Sequence, residues 1–205
     1  MRVMVDESCV AEQAESLGEA LQAAAAHAEQ AGRVVIEVHA DGQPLDAAHL
    51  DNPDGFDQSC GELSLTTADP ASFVRVSLLE AVDALTAAVA DQTTAADALE
   101  SGDVAAAMDR LGASLEIWES VNAVVDRSSR VLRITPADLV PANESGSIDA
   151  ALGELTAALN RVRDTRAVED WAGLADVLRY DLKECADQWT ALLRGAADKL
   201  GEAGA

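Results

Sequence analysis

The sequence predicts an α+β protein that is mostly α: antiparallel helical hairpins forming a bundle of about four long helices, with a small N-terminal helix and a short antiparallel β element. Three observations carry this expectation. Apolar residues recur at steps of three and four through nearly all of the chain after residue 69. The spacing drops to two only around residues 34–39 and 63–65. Aromatic residues make up 3% of the chain while alanine is abundant, a composition that suits close helix packing.

A chain of 205 residues with 49% hydrophobic content can close a core without covalent staples. The three cysteines, Cys9, Cys60 and Cys185, are odd in number, widely separated and form no CxxC pair, which points to reduced thiols in a cytoplasmic setting. Met1 to Val5 runs directly into Asp6 and Glu7, unlike the basic and apolar regions of a secretory leader. No apolar run approaches the ~18–20 residues of a membrane span. The formal charge of −23 arises from 37 acidic residues against 14 basic ones, of which only Lys183 and Lys199 are lysines. Such a surface repels phosphate backbones and anionic lipid heads, so neither nucleic acid nor membrane is an expected partner. The acids are spread along the chain, which reads as solubility or a salty habitat more than as an address for a basic partner.

Taken in order, Arg2 to Val5 is a short apolar start. Val10, Ala14, Leu17, Leu21, Ala24 and Ala28 then mark one face of a helix over 8–31, capped by Asp6 or Ser8 and ending near Gly32. Val34, Ile36 and Val38 alternate with Val35, Glu37 and His39 in a strand near 33–40, and Asp41-Gly42 is a two-residue hairpin signal. Residues 44–61 read as a loop or a weak second strand, and Leu63 and Leu65 mark a strand near 62–67. Residues 1–68 thus form a small α/β element and 69–200 a helical region.

Asp69-Pro70 opens a helix near 70–100 along Leu78, Val82, Leu85 and Val89. Glu100-Ser101-Gly102-Asp103 turns the chain into a second, near 103–133. Its stripe is the most regular in the sequence: Val104, Met108, Leu111, Leu115, Trp118, Asn122, Val125, Ser129 and Leu132. Thr135-Pro136 caps at most one turn, and Pro141 to Ser147 is the best linker. Ser147 caps a helix near 147–164 with Ile148, Leu152, Leu155, Leu159 and Val162 on one face. The last, near 167–199, carries Trp171, Ala175, Leu178, Leu182, Cys185, Trp189, Leu192 and Ala196.

No catalytic residue, cofactor site or metal site is expected. His27, His39 and His49 lie in no nucleophile motif, and His27 reads as a partly buried structural residue. The acidic loop Asp51 to Asp57 departs from the EF-hand register, since Pro53 and Gly55 stand at its third and fifth positions and no glutamate closes it. Asn122 and Ser129 on an apolar stripe read either as a buried polar pair that fixes helix register or as groove-facing groups. The aromatic residues Trp171, Tyr180 and Trp189 either plug the core or anchor a partner. The candidate partner-binding residues are therefore Trp118, Asn122, Trp171, Leu178, Tyr180 and Trp189.

Several segments also resemble a known pattern. His39-Ala40-Asp41-Gly42-Gln43-Pro44-Leu45, Leu65 to Pro70, the turn Leu99 to Asp103 with Trp118 after it, and Asp170-Trp171 through Trp189 are similar to an uncharacterised group of bacterial helix-rich proteins, over most of residues 33–200. More remotely, the hairpin at 78–118 resembles the last hairpin of flagellar export chaperones, small acidic helical bundles that bind apolar terminal helices of secreted filament subunits. The β portion before residue 69 departs from that pattern. The chaperone resemblance implies a non-enzymatic protein partner, an amphipathic helix held in a groove. The alternatives are a structural protein that buries the same stripe in a homodimer, and a hydrolase-type enzyme in which His39 or His49 meets two carboxylates in a cleft.

Overall fold

The computed structural model describes residues 1–6, 8–53, 60–140 and 146–203. The protein is mostly helical with a small mixed sheet, and it divides into two compact units, Met1–Phe73 and Val74–Ala205.

The first unit contains β1 (Arg2–Val5), β2 (Ser8–Ala11), α1 (Leu17–Gln30), β3 (Val34–Ala40), β4 (Gln43–Pro44), α2 (Ala47–Asp51) and β5 (Glu62–Ala68). Strand order is β2-β1-β5-β3-β4. The sheet is mixed, not antiparallel as the sequence suggested, because β1 runs parallel to β5 with Val3 opposite Leu63 and Val5 opposite Leu65. Such a pairing joins segments about sixty residues apart and leaves no local signature. Helix α1 covers the face that carries Val3, Val5, Leu63 and Leu65, and its own Leu17, Ala20 and Ala24 close this core.

The expected helix over 8–31 starts later, at Leu17. Asp6 adopts φ 52°, which folds Ser8–Ala11 back onto β1 as a strand. The helix begins where Ser16 accepts the Glu19 amide while the Glu19 carboxylate accepts the Glu15 amide. Val10 and Ala14 continued the helical rhythm by coincidence: one is a strand residue and the other lies outside any helix, yet both face the same core. In β3 the register shifts between Val35 and Glu37, leaving Ile36 as the extra residue of a bulge. Val35 and Val38 therefore both pack inward, and the simple alternation of the sequence is broken. The hairpin turn at Asp41-Gly42 has both residues at positive φ, 48° and 78°, as its twist requires.

A polar network pins one end of this sheet. The Asp6 carboxylate accepts from the Thr67 amide at 2.9 Å and the Thr67 hydroxyl at 2.7 Å, and Arg33 donates to the Thr67 carbonyl at 2.8 Å. These bonds, the Thr67 amide first, hold the Asp6 carboxyl below its ordinary value of 3.8. A carboxyl with a lowered folded pKa stabilises the fold above its ordinary value and loses that contribution as pH falls through the folded one. Asp6→Asn is therefore expected to destabilise the first unit at neutral pH, and the gap from wild type to narrow below about pH 4. Hydrogen exchange at the Thr67 amide across pH measures this; a gap that widens on acidification contradicts it.

The second unit holds most of α3 (Pro70–Glu100), then α4 (Val104–Leu132), α5 (Pro136–Leu139), α6 (Ile148–Ala167), α7 (Trp171–Asp176) and α8 (Leu182–Ala203), with a π turn, Val177–Asp181, joining the last two. Asp69, Asp103, Thr135, Ser147 and Asp170 each accept a first-turn amide at the helix starts. The last helical stretch begins at Trp171, not 167, because α6 runs on to Ala167 and the chain reverses at Glu169, φ 56°. Of the expected linker, residues 141–145 lie outside the described residues. One apolar core draws on α3 to α8, and alanines supply much of it: Ala81, Ala95, Ala96, Ala107, Ala151 and Ala158 are all buried.

Asn122 and Ser129 do not form a cross-helix pair. Each hydrogen bonds back to its own helix, Asn122 to the Trp118 carbonyl and Ser129 to the Val125 carbonyl. A buried polar contact between α3 and α4 is made instead by Gln92, whose amide donates to Ser114 Oγ at 3.0 Å. The Gln92 carbonyl oxygen is buried with no partner among the described residues. Ser114→Ala alone strands the whole amide and is expected to cost about 1–3 kcal/mol, whereas Gln92→Leu with Ser114→Ala removes both groups and restores most of that loss. All three tryptophans lie in the second unit, so fluorescence-detected urea unfolding reports this unit directly.

Candidate partner-binding groove

The scarce aromatic side chains sit mainly inside. Trp118 from α4 and Trp189 from α8 are almost fully buried, and their rings meet edge to face with centroids 5.9 Å apart at 82°. The Trp189 indole N–H donates to the Ala151 carbonyl of α6 at 3.4 Å. Leu178 is also fully buried, and Trp171 and Asn122 are half-buried. Only Tyr180 is open to solvent, at 62% exposure. Of the six candidate residues, the structure thus brings Trp118 and Trp189 together as core and leaves Tyr180 exposed on the π turn that buries Leu178. Its neighbour Arg179 donates to Glu100 and to Asp97 of α3, and the guanidinium hydrogen bond holds the Glu100 carboxyl below its usual range.

The apolar surface lies elsewhere. The buried face of α4 is Ala107, Leu111, Ser114, Trp118, Val121, Val125, Ser128 and Ser129, which shares Leu111, Trp118, Val125 and Ser129 with the stripe read in the sequence and is otherwise rotated from it. The rotation leaves Met108 and Leu115 at the margin, half-buried. Leu111 and Leu115 face Leu159 and Val162 of α6 across a groove of about 640 Å³, whose remaining lining is Arg163, Arg166 and Ala167. Residues 159, 162, 163, 166 and 167 fall at helical spacing, so one face of α6 supplies both the apolar floor and the basic lip. All four apolar residues were visible in the sequence as stripe members. Leu111 and Val162 are buried; the incomplete burial of Leu115 and Leu159 was not visible, because it depends on which helix stands opposite.

A second apolar pocket, of about 540 Å³, lies within the first unit, where Leu21 of α1 and Leu50 of α2 face Val35, Val38 and Leu65 of the sheet. Among the described residues, His39 and Glu37 are its only titratable lining groups. His49 lies outside it, with Nδ1 2.7 Å from the Asp46 carboxylate that also caps α2. Among the described residues neither histidine joins two carboxylates in one cluster, the arrangement an acid–base site of that kind requires.

The chain matches no family model, no curated protein and no solved structure. Function therefore has to be argued from the site.

Among the described residues no three His, Cys, Asp or Glu side chains come together as metal ligands. Within the acidic loop, Asp54 to Asp57 lie outside those residues. No helix among them is long and apolar enough to cross a membrane. A more polar cavity, about 190 Å³, is bounded by Glu154, Arg161, Asp181, Glu184 and Cys185. Arg161 and Asp181 pair there at 2.7 Å. Burial, and then the charges of Glu154 and Glu184, push the Cys185 thiol up to about 11, so it is protonated and poorly nucleophilic at neutral pH. Iodoacetamide at about pH 8 is expected to label the exposed Cys9 in the native protein and Cys185 only after unfolding. Peptide mapping by mass spectrometry checks this, and rapid native labelling of Cys185 would contradict the protonated, buried thiol.

Proposed function

We propose that the chain is a non-enzymatic, cytoplasmic protein-interaction module that holds an amphipathic helix of a partner protein in the groove between α4 and α6. In this reading α3, α4, α6 and α8 act as one four-helix bundle, and the capture is chaperone-like. The observation that carries it is the apolar floor of Leu111, Leu115, Leu159 and Val162, open between two long helices that supply a rigid rim. A helix with apolar residues at three- and four-residue spacing presents a ridge of matching period to such a floor.

The energetics favour a reversible hold. Each leucine-sized anchor contributes about 1.5–3 kcal/mol on full burial. Association costs on the order of 4–15 kcal/mol in lost freedom, so a few anchors exceed that cost only narrowly. The partner is held and released, which suits escorting more than permanent assembly. Against self-association through the same groove stands the net charge of −23 carried by each copy.

Leu115 is half-buried, so a charge at that position is accommodated by the fold while it disrupts the floor. A fluorescent model peptide with leucines on one helical face and glutamine elsewhere is expected to bind the full chain, with Leu115→Asp weakening it roughly tenfold or more. Thermal unfolding of the variant should stay close to that of wild type. Anisotropy titration and sedimentation equilibrium read the two states. Absence of peptide binding, or a stable dimer that Leu115→Asp dissociates, overturns the proposal.

A further inference from the structure

We infer that the helix received between α4 and α6 carries carboxylates along its flank, placed to meet Arg163 and Arg166. The inference rests on the groove reading above and adds the charge character of the partner.

It starts from where this chain spends its few cations. Against 37 acidic residues stand 14 basic ones. Many of these are held by acids within the fold: Arg110 by Asp91, Arg130 by Asp126, Arg161 by Asp181, Arg179 by Asp97 and Glu100, and Lys183 by Asp187. Arg75, Arg127, Arg194 and Lys199 make no ion pair with a described residue, and the lip of the groove adds to these. Arg166 makes no ion pair with any described residue, and Arg163 bonds only the carboxylate next to it in sequence, Asp164. No carboxylate lines the groove itself. A chain this acidic therefore presents, at the mouth of an apolar trough, the guanidinium of Arg166 with no acid on it and that of Arg163 held only by Asp164, which stands off the lining.

Helix-end electrostatics explain part of this. An arginine in the last turn of α6 complements the negative end of the helix dipole, and Arg166 stands there. That account places a cation near the helix end. It does not place both arginines on the face that Leu159 and Val162 occupy, nor clear that face of carboxylates.

Docking a helix on the floor strips water from both guanidiniums. A basic or purely apolar flank would leave Arg166 dehydrated and unpaired, and Arg163 with Asp164 alone, at a cost that works against binding. A glutamate or aspartate on the flank instead accepts two parallel N–H bonds from a guanidinium, the geometry for which arginine is suited and lysine is not. The overall negative charge opposes an acidic partner at a distance, but at physiological salt that field is screened within about 8 Å. The contact pairs are then felt mainly after encounter, so the selectivity appears in dissociation rather than association.

Three short capped peptides with one leucine face, differing only in flank residues (glutamate, glutamine or lysine), provide the test against the full chain. Wild type is expected to bind the glutamate peptide roughly fivefold or more tighter than the lysine peptide, with glutamine between them, and the difference should lie in the off-rate. The double variant Arg163→Glu, Arg166→Glu should reverse that order, and Arg163→Gln, Arg166→Gln should flatten it, with circular dichroism melts verifying that both remain folded. If wild type binds all three peptides equally, and Leu115→Asp weakens all three, the groove reading stands and the charge inference is overturned. If wild type binds none of them, the groove reading fails and the inference fails with it.

Discussion

The second unit is organised around the contact between two indole rings. Trp118 and Trp189 are the largest side chains in a core made mainly of leucine, valine and alanine, and both are almost completely buried. Their edge-to-face geometry fixes α4 against α8 in distance and in rotation about the helix axes. The Trp189 indole N–H then ties α6 to the same point through the Ala151 carbonyl. Alanines can fill the rest because the tryptophans set the spacing, and small residues allow backbones to approach closely elsewhere. The rotation that buries Trp118 also decides which residues of α4 stay outside. Leu115 lies three positions before Trp118, and with Trp118 pointed inward it falls at the margin facing α6.

This explains which parts of the molecule could be read from the sequence. Helices α3, α4 and α6 were legible almost to their ends because each has a capping residue at its start: Asp69, Asp103 and Ser147. The Asp41-Gly42 hairpin was legible because only a few residue pairs tolerate two successive positive φ angles. What escaped depends on distant partners. Ser8–Ala11 is a strand because β1 lies beside it, and β1 itself is held by β5 from the far end of the unit. The bulge at Ile36 changes the face of a strand whose composition shows no interruption. The π turn at Val177–Asp181 likewise lacks a glycine or proline to announce it.

The candidate site was legible in composition and illegible in orientation. In a chain with six aromatic residues, large rings are the obvious anchors for a partner. The same scarcity makes them the only groups able to fill wide gaps between helices, and the core takes Trp118 and Trp189 first. The groove residues were present in the predicted stripes but carried nothing to distinguish half-burial from full burial. A stripe wider than one opposing helix can cover leaves a margin, and on α4 that margin is Met108 and Leu115.

The acidity of the chain bears on this margin. An apolar trough between helices invites a second copy of the same protein, since the surplus area of one molecule can always cover that of another. Two copies that each carry −23 must bring like charges together to do so, and the penalty falls on every self-contact wherever it forms. A foreign helix presents only its own charges. Widely spread carboxylates can thus keep a half-open apolar floor free for a short segment while opposing whole-molecule association. In the proposed function, acidity and groove are two parts of one arrangement: the first keeps the floor uncovered, and the second, lipped by Arg163 and Arg166, selects what covers it.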